Sequence, residues 1–402
     1  MDNVNARSVI RQMFSLLPIC VHERLLFDHY TKKLTTMKAI FVFIAAQLNH
    51  WSSYSEMEFH IAAQPELQRF LRLERISGSQ LSRKLDQIPT ELLNWLFHQL
   101  VVRTRRRSSG RKGITAQIGK LRIIDSSRIR LPLQLGDWAR MSTESSGVKM
   151  HLRLVADSPE TLFPDALIPT SLNVDDRAGA IELVTDSRAT YVMDRGYEDY
   201  NKMDQWIMRK IRFVMRIRDR ACTSVVEEFA VPEGSPILRD ARVRVGSTFR
   251  SMEKTVRLVE FQDEQNKRYR VLTSIWHLSA EEIAYIYKSR WLIELYFKWL
   301  KQHLRLTKLH SYKPQAIWNQ MLLALITALL VEEMKQKSQA SCSTWRFLQL
   351  LRAYMYHPLS AIVAELNRPP GRISRGKPPG AGRKAISVRT TIGIINPSKA
   401  KK

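Results

Sequence analysis

The sequence predicts a mixed α/β fold that is preceded by an all-helical segment. Three observations support this fold class. Apolar residues recur at helical spacing through roughly the first 110 residues, short β-branched strands then alternate with helices, and a long helix without Gly or Pro follows near residue 290. The resulting element order, β-β-β-α-β-α-β-α, is typical of a sheet layered with helices.

The composition indicates a polyanionic partner. The chain has 402 residues, of which 44% are hydrophobic, and a formal net charge of +26. Two or three domains are expected at this length, and this charge favours binding to nucleic acid. The three cysteines form no Cys-x-x-Cys pair, so neither a disulfide nor a zinc site is predicted. Without a signal-peptide pattern or a spanning apolar stretch, we expect a cytoplasmic, nucleoid-associated protein with no membrane partner.

Residues 1–112 are predicted to form a helical N-terminal DNA-binding domain. Within it, residues 76–85 place Gly78 in a turn before a short helix rich in Ser, Gln, Arg and Lys. This segment suits either a helix-turn-helix that reads base edges or an ordinary capped surface helix. A basic run over residues 103–112 follows it, and the overall charge favours contact between this run and phosphates.

Two of the predicted strands end in aspartates. Strands are expected at 118–124, 129–135, 148–155, 191–193 and 212–217, with helices at 176–185 and 200–210. Asp125 follows the first strand, and Asp194 follows the fourth and begins an Asp-Arg-Gly-Tyr sequence. An aspartate at a strand end is ordinarily a turn or cap residue. Asp137 and Asp157 also lie near predicted strands and are weaker alternatives to Asp125.

One long helix is predicted over residues 287–301, after a start at residues 279–282 that resembles a capping box. At about 100° per residue, four polar side chains share one face of it: Tyr287, Arg290, Glu294 and Lys301. The opposite side carries the stripe that is predicted to be buried, which contains Leu292, Leu295, Tyr296, Trp299 and Leu300.

The polar face of this helix has two interpretations. It is either a solvated surface with an Arg290–Glu294 ion pair, or Glu294 is a metal ligand that converges with Asp125 and Asp194. Three carboxylates at one place repel one another and need a compensating cation. Oxygen ligands of this kind suit Mg²⁺ or Mn²⁺, and a pair of such ions activates a water or a 3′-hydroxyl for displacement at phosphorus.

The motifs resemble those of a known family. Asp125, Asp194 and Glu294 resemble the DDE triad of ribonuclease-H-like transposases. The spacing Tyr287-x2-Arg290-x3-Glu294-x6-Lys301 is similar to the Tyr-Arg-Glu-Lys signature of the insertion-sequence branch called family four. The sequence that begins at Asp194 resembles the second-aspartate motif of the same branch. The resemblance covers the chain from about residue 121 to residue 306.

The resemblance implies a fold and a function. The fold would be a ribonuclease-H-like mixed sheet flanked by helices, with a β-rich insertion before the glutamate helix and an all-α N-terminal domain. The protein would be a transposase that cuts the ends of an insertion sequence from DNA and joins them to target DNA by a cut-and-paste route. Two alternatives remain open, which are a metal-dependent nuclease without strand transfer and a non-catalytic DNA-binding protein.

The resemblance also implies roles for particular residues. Asp125, Asp194 and Glu294 would hold Mg²⁺ or Mn²⁺, as two ions. Arg290 and Lys301 would bind backbone phosphates, and Tyr287 would hydrogen-bond to a phosphate. The partners would be double-stranded DNA, as terminal inverted repeats and as target, and a second copy of the chain in a homodimer on DNA.

The remaining domain boundaries follow from changes in pattern. The catalytic core is predicted at 113–220 and 278–340, the β-rich insertion at 221–277, a helical segment at 341–367, and a basic tail, expected to be disordered, at 368–402. Trp276 in the insertion is either a base-stacking residue or a buried strand-end tryptophan.

Overall fold

The structure is a computed structural model that describes residues 8–18, 28–29, 31–107, 113–115, 117–158 and 161–368. The predicted basic tail therefore lies outside the described residues except for Arg368, and so do residues 108–112 of the predicted basic run. The strands among the described residues are β1 Leu121–Arg130, β2 Arg140–Ser142, β3 Ser145–Ser158, β4 Thr161–Ser171, β5 Thr190–Met193, β6 Arg212–Arg216, β7 Thr223–Glu228, β8 Ile237–Ser247, β9 Arg250–Ser251, β10 Val256–Gln262 and β11 Arg268–Thr273.

The helices lie mainly at the two ends of the chain. Before the sheet they are α1 Val9–Phe14, α2 Thr36–Asn49, α3 Tyr54–Ala63, α4 Pro65–Leu71, α5 Gly78–Gln87 and α6 Thr90–Arg107. Within and after the sheet they are α7 Asp176–Leu183, α8 Tyr200–Met208, α9 Ala280–Lys288, α10 Trp291–His303, α11 Pro314–Lys337, α12 Thr344–Ala353 and α13 Leu359–Leu366.

The half of the sheet that contains β1, β3, β4, β5 and β6 has the predicted ribonuclease-H-like arrangement. Strands β4, β3 and β1 are antiparallel neighbours, and β5 and β6 follow on the other side of β1, parallel to it. The order across this half is therefore β4-β3-β1-β5-β6. Helices α7 and α8 connect β4 to β5 and β5 to β6. The predicted fold class, a mixed sheet flanked by helices, is confirmed.

Two strand predictions are wrong in detail. The expected strands at 118–124 and 129–135 are replaced by the single strand β1, because β1 pairs with β3 along its whole length, from Leu121 opposite Ala156 to Arg130 opposite Gly147. Strand β4 was not predicted, since it contains Pro164 and Pro169. Among the strands of the described residues it pairs only with β3, so it forms a sheet edge, where a missing backbone N–H is tolerated.

The predicted single helix over residues 287–301 is wrong, because the chain turns at Ser289 and Arg290 between α9 and α10. The amide of Arg290 donates to the Tyr287 carbonyl at 2.9 Å, and the amide of Ile293 donates to the Arg290 carbonyl at 3.2 Å. These bonds span three residues, which tightens the helical turn. The capping box at Ser279 and Glu282 is present, as the sequence indicated.

The turn changes which face of α10 is buried. Ile293, Phe297 and Leu300 are buried at helical spacing. Of the stripe predicted from a continuous helix, only Leu300 is fully buried, whereas Leu295 is 41% exposed. The other three members of that stripe, Leu292, Tyr296 and Trp299, are partly buried.

The segment between β6 and α9 is β-rich, and it continues the catalytic sheet. Strand β11 pairs antiparallel with β6, and β10, β8 and β7 follow in that order. Buried residues of β8 and β10 share a hydrophobic cluster with α8 and with β5 and β6. The insertion therefore packs against the layer that carries the site.

The helical ends of the chain pack around α11. The buried residues of α1 to α6 belong to one hydrophobic cluster with those of α11, α12 and β1. Helix α11 is long and apolar enough to cross a membrane by length and composition alone, but 83% of that window is buried inside the protein. Its apolar composition is thus explained by its position in the core.

A buried ion pair links the insertion to α9. Arg257 on β10 donates from Nε to Asp240 Oδ1 at 2.8 Å and from Nη2 to Asp240 Oδ2 at 2.7 Å, and both side chains are 7% exposed. The Nη1 atom of Arg257 also donates to the Leu278 carbonyl, just before α9, at 2.7 Å. The bidentate pair therefore fixes the position of α9 as well as the β8–β10 contact.

We expect Asp240→Ala to lower the free energy of unfolding by about 3–5 kcal/mol, because it leaves the Arg257 guanidinium buried without its carboxylate. Urea denaturation would measure this loss. A matched control is Glu227→Ala, which removes a 3.2 Å ion pair with Arg242 whose side chains are 50% and 42% exposed, and which should cost at most about 1 kcal/mol. Equal losses in the two variants would contradict the prediction.

Candidate active site

Asp125 and Asp194 lie side by side on neighbouring strands. The parallel pairing of β1 and β5 ends at Ile124 opposite Met193, so the next residue on each strand is an aspartate. Asp194 follows the end of β5, as predicted, but Asp125 lies inside β1 rather than at a strand end, because β3 keeps β1 extended to Arg130. The register of two strands thus brings together two carboxylates that are 69 positions apart in the sequence.

Arg290 connects the third carboxylate to this pair. Its Nη1 atom donates to Asp125 Oδ2 at 3.1 Å, and its Nη2 atom donates to Glu294 Oε1. The Arg290 side chain is only 15% exposed. Neighbouring Tyr287, Glu294 and Asp125 raise its pKa although burial acts to lower it. A fixed positive charge therefore lies between Asp125 and Glu294.

Tyr287 joins the site from α9. Its hydroxyl donates to Asp194 Oδ1 at 3.1 Å. Its ring contacts the rings of Phe261 and Tyr269, which belong to the insertion. Burial, and next the charge of Asp194, raise the pKa of Tyr287 well above its usual value, so the hydroxyl remains a proton donor at neutral pH.

Burial is the main reason that the pKa of Asp125 is raised, to about 6. The carboxylates of Asp194 and Glu294 act in the same direction, while Arg290 and the Ser126 amide, which donates to Oδ1 at 2.8 Å, act to lower this pKa. One guanidinium does not fully compensate for the cost of ionising this carboxyl, so the site favours an additional cation.

Lys301 is the predicted site residue that this centre does not contact. It lies seven residues beyond Glu294 on α10, which corresponds to about two helical turns, or roughly 10 Å along the axis. Burial lowers its pKa. Among the residues that the structure describes, none lies within ion-pair distance of its ammonium group. Its position is compatible with an extended ligand that continues along α10.

The alternative aspartates lie elsewhere. Asp137 pairs with Arg140 at 3.0 Å and its side chain is 79% exposed. Asp157 is buried and pairs with Lys120, the residue before β1, at 2.6 Å. Neither contacts the centre around Arg290. Asp125 is thus the aspartate that the fold places beside Asp194.

The sequence analysis missed a supporting network behind Asp125. Ser126 Oγ donates to Asp176 Oδ1 at 3.1 Å, and Lys149 Nζ lies 3.1 Å from the same oxygen. The hydroxyl of Tyr197 is buried near Asp125 and Asp176, and burial raises its pKa. The sequence carried only a weak signal for this network, since Asp176 was the first residue of a predicted helix.

Trp276 is partly exposed. The ring is 43% exposed and the guanidinium of Arg242 lies 5.0 Å from its centroid. It also contacts Phe229 edge to face. The tryptophan is therefore not a fully buried residue.

The fold and this centre define a class of protein, namely one with a ribonuclease-H-like sheet, two aspartates on neighbouring chain segments and a glutamate that Arg290 joins to one of them. A family model described as a transposase DDE domain matches residues 117–330, which include all three. Because this match covers more than half of the chain, the protein belongs to the DDE transposase family. It is a DNA-binding enzyme of DNA transposition, and it cleaves DNA and transfers strands.

The chain is similar to several known proteins. The chain is 27% identical over 326 residues to a probable transposase for insertion sequence element IS5377 from Geobacillus stearothermophilus, which covers 79% of this chain and 82% of that one. It is 29% identical over 315 residues to the putative transposase y4zB from Sinorhizobium fredii, with coverages of 74% and 84%. A cryo-EM structure of a piggyBac transposase synaptic complex with hairpin DNA superposes with a TM-score of 0.41 at 12% identity, over 95% of this chain and 85% of that chain.

Membership of this family implies dependence on a divalent metal ion, and the donor set fits such an ion. Asp125, Asp194 and Glu294 offer only hard carboxylate oxygens, which such ions prefer. Among the described residues, no three His, Cys, Asp or Glu side chains are already positioned to hold one metal ion. The guanidinium of Arg290 lies between the carboxylates of Asp125 and Glu294.

The raised pKa of Asp125 predicts a cost in stability at neutral pH. Between about pH 4 and pH 6 the folded protein retains a proton that the unfolded chain has lost, so stability falls as pH rises through this window and stays lower above it. Asp125→Asn cannot ionise. At pH 7 in EDTA, we expect this variant to raise the free energy of unfolding by up to about 3 kcal/mol. Urea denaturation at pH 7 and below pH 4 would measure the free energy of unfolding of both proteins. If Asp125→Asn were still more stable than wild type below pH 4, ionisation of Asp125 would not be the cause of the difference.

Proposed function

We propose that this protein is the transposase of an insertion sequence in the family-four branch, and that it works by a cut-and-paste route. The observation that carries the proposal is that the β1–β5 register places Asp125 beside Asp194, while Arg290 bonds to both Asp125 and Glu294. The spacing of Tyr287, Arg290, Glu294 and Lys301 supports the choice of branch. In this route the protein would cut the element from flanking DNA and join its 3′ ends to a target.

Asp125, Asp194 and Glu294 are the residues that would hold the metal, as two Mg²⁺ or Mn²⁺ ions. Ions bound there would activate the attacking oxygen and stabilise the leaving oxygen at phosphorus. Asp125 would bind as its carboxylate, and Tyr287 would orient Asp194 by donating to one of its oxygens. Ser126 and Asp176 hold the β1 backbone behind Asp125.

Arg290, Tyr287 and Lys301 are the proposed phosphate-binding residues. A guanidinium has five N–H donors, and carboxylates of the site accept from two nitrogens of Arg290. The remaining donors, and the ammonium group of Lys301, would bind backbone phosphates of the strand that enters the site. The partner would be the terminal inverted repeats and the target DNA, bound by a homodimer in the cytoplasm at the nucleoid.

The carboxylates give the first functional test. We expect Asp125→Ala, Asp194→Ala and Glu294→Ala each to reduce end cleavage and strand transfer by at least about 10³-fold, because each removes a metal ligand. Binding to the element ends should stay within a few-fold of wild type. The assay follows a labelled DNA that carries the element ends, with Mg²⁺ and a target plasmid.

Asp137→Ala is the matched control, since Asp137 is an exposed aspartate away from the centre, and it should retain activity. Cleavage at the wild-type rate by any of the three site variants would refute the assignment of that residue. Cleavage by wild type without any joined product would instead indicate a nuclease.

Lys301 gives the second functional test. Lys301→Met removes the charge but keeps the length of the side chain, and we expect it to weaken binding of a cut element end by about tenfold and to reduce the salt dependence of binding by about one phosphate contact. Lys301→Arg should retain most of the affinity. Unchanged affinity and salt dependence in Lys301→Met would exclude Lys301 from the DNA contact.

A further inference from the structure

A row of arginines lies on the segments that follow β5, β6 and β8, and it begins next to Asp194. Arg195, Arg218, Arg220 and Arg250 are exposed, and we name them the arginine track. They line two adjoining surface grooves that share Arg218 and Arg220. The first groove begins at Arg195, the residue that follows Asp194, so the track starts at the catalytic centre.

The arginine track is poorly neutralised. Asp219 is its exposed acid, and it lies 3.9 Å from Arg195 and 3.7 Å from Arg216. Glu198 also borders the track, but it is 9% exposed and accepts from the Arg218 amide at 3.1 Å. Among the described residues, no carboxylate lies within 4.0 Å of the guanidinium groups of Arg218, Arg220 or Arg250. A groove with this excess of positive charge favours a polyanion.

Phe249 projects from the end of the arginine track. It is 98% exposed, on the turn between β8 and β9, where Ser247 pairs with Arg250. A phenylalanine so exposed buries no ring surface in its own fold, although a ring of this kind contributes strongly wherever it is buried. Nucleic-acid bases provide flat apolar faces on which such a ring stacks.

The turn that carries Phe249 is firmly anchored. Gly246 adopts a φ of +115°, and a Cβ there would lie 2.2 Å from the Arg250 carbonyl oxygen, so the two chains approach too closely for any other residue. The Gly246 amide donates to the Cys222 carbonyl at 2.9 Å. The guanidinium of Arg250 lies 5.4 Å from the centroid of the Tyr200 ring. The aromatic ring is therefore presented on a rigid support.

We propose that the arginine track and Phe249 bind the target DNA, with Phe249 inserted between two base pairs. This inference rests on the proposed function, since strand transfer brings two DNA segments to one centre. Tyr287, Arg290 and Lys301 engage the element end from the α9–α10 side. The arginine track reaches the same centre from the β5–β6 side and is free to hold the second segment.

Insertion of Phe249 has a specific consequence for target choice. An apolar side chain between base pairs unstacks and kinks the duplex, which costs about a few kcal/mol per step. A target that already contains a mismatch needs less of this energy, because its bases are partly unstacked. The protein therefore joins element ends preferentially to flexible or mismatched sites.

The test uses a pre-cut element end and two target duplexes, one fully paired and one with a central mismatch. We expect the Phe249→Ala variant to join element ends to the paired target about tenfold more slowly than wild type. Its rate of joining to the mismatched target should stay within about threefold of the wild-type rate, because the bases at the mismatch are already partly unstacked. End cleavage should be unchanged. Leu238→Ala is the control, since Leu238 is 42% exposed on β8 outside the track, and it should join both targets normally.

Two further measurements test target binding by the arginine track and Phe249 separately from cleavage and joining. The double variant Arg218→Gln/Arg220→Gln should bind the target duplex more weakly and reduce the salt dependence of that binding by about two phosphate contacts. A 2-aminopurine in the target duplex should brighten when wild type binds without metal, and should not brighten with Phe249→Ala. Failure of the wild-type protein to cleave or join DNA would reject the proposed function. The two binding measurements would still show whether the arginine track and Phe249 bind the target duplex.

Three results would overturn this proposal. The first is that Phe249→Ala joins element ends to the paired target at the wild-type rate. The second is that Phe249→Ala lowers the rate of joining equally on the paired and the mismatched target. The third is that Phe249→Ala lowers the rate of end cleavage as much as the rate of joining. The last result would assign the surface to the element end.

Discussion

The ion pairs of Arg290 are the interaction on which the site depends. Asp125 is on β1 and Glu294 is on α10, 169 positions later in the sequence, and one guanidinium bonds to both. Without a cation between them, the carboxylates would repel each other in a partly buried space. Arg290 therefore both connects the late helices to the sheet and keeps the acidic residues together in the absence of metal.

That interaction in turn requires two backbone features. The β1–β5 pairing has to end one residue before the aspartates, and β3 has to keep β1 extended beyond that point. The insertion contributes as well, because Phe261 and Tyr269 pack on Tyr287 and Arg257 bonds to the Leu278 carbonyl, two residues before α9. The insertion thus supports the position of α9, the helix that carries Tyr287.

The sequence was sufficient for the identities of the site residues that the fold brings together, because the spacing of Tyr287, Arg290 and Glu294 and the strand end at Asp194 are local patterns. It was not sufficient for the register of β1, since a strand that continues past Asp125 depends on pairing with β3. The turn at Ser289 also had no local signal, because neither Gly nor Pro marks it. The Ser126–Asp176 contact joins distant segments, which periodicity does not reveal.

The turn between α9 and α10 has a geometric reason. On one straight helix, Tyr287 and Glu294 would lie about 10 Å apart along the axis, whereas neighbouring strands lie about 4.8 Å apart. The hydroxyl of Tyr287 donates to Asp194 beyond one strand, while Arg290 bonds both to Asp125 on the next strand and to Glu294 on α10. The turn at Ser289 and Arg290, together with the length of the Arg290 side chain, reconciles these two spacings. A sequence spacing that looks like one helical face therefore spans a break between two helices, with Tyr287 of α9 bonded to Asp194 and Arg290 of the turn bonded to Asp125.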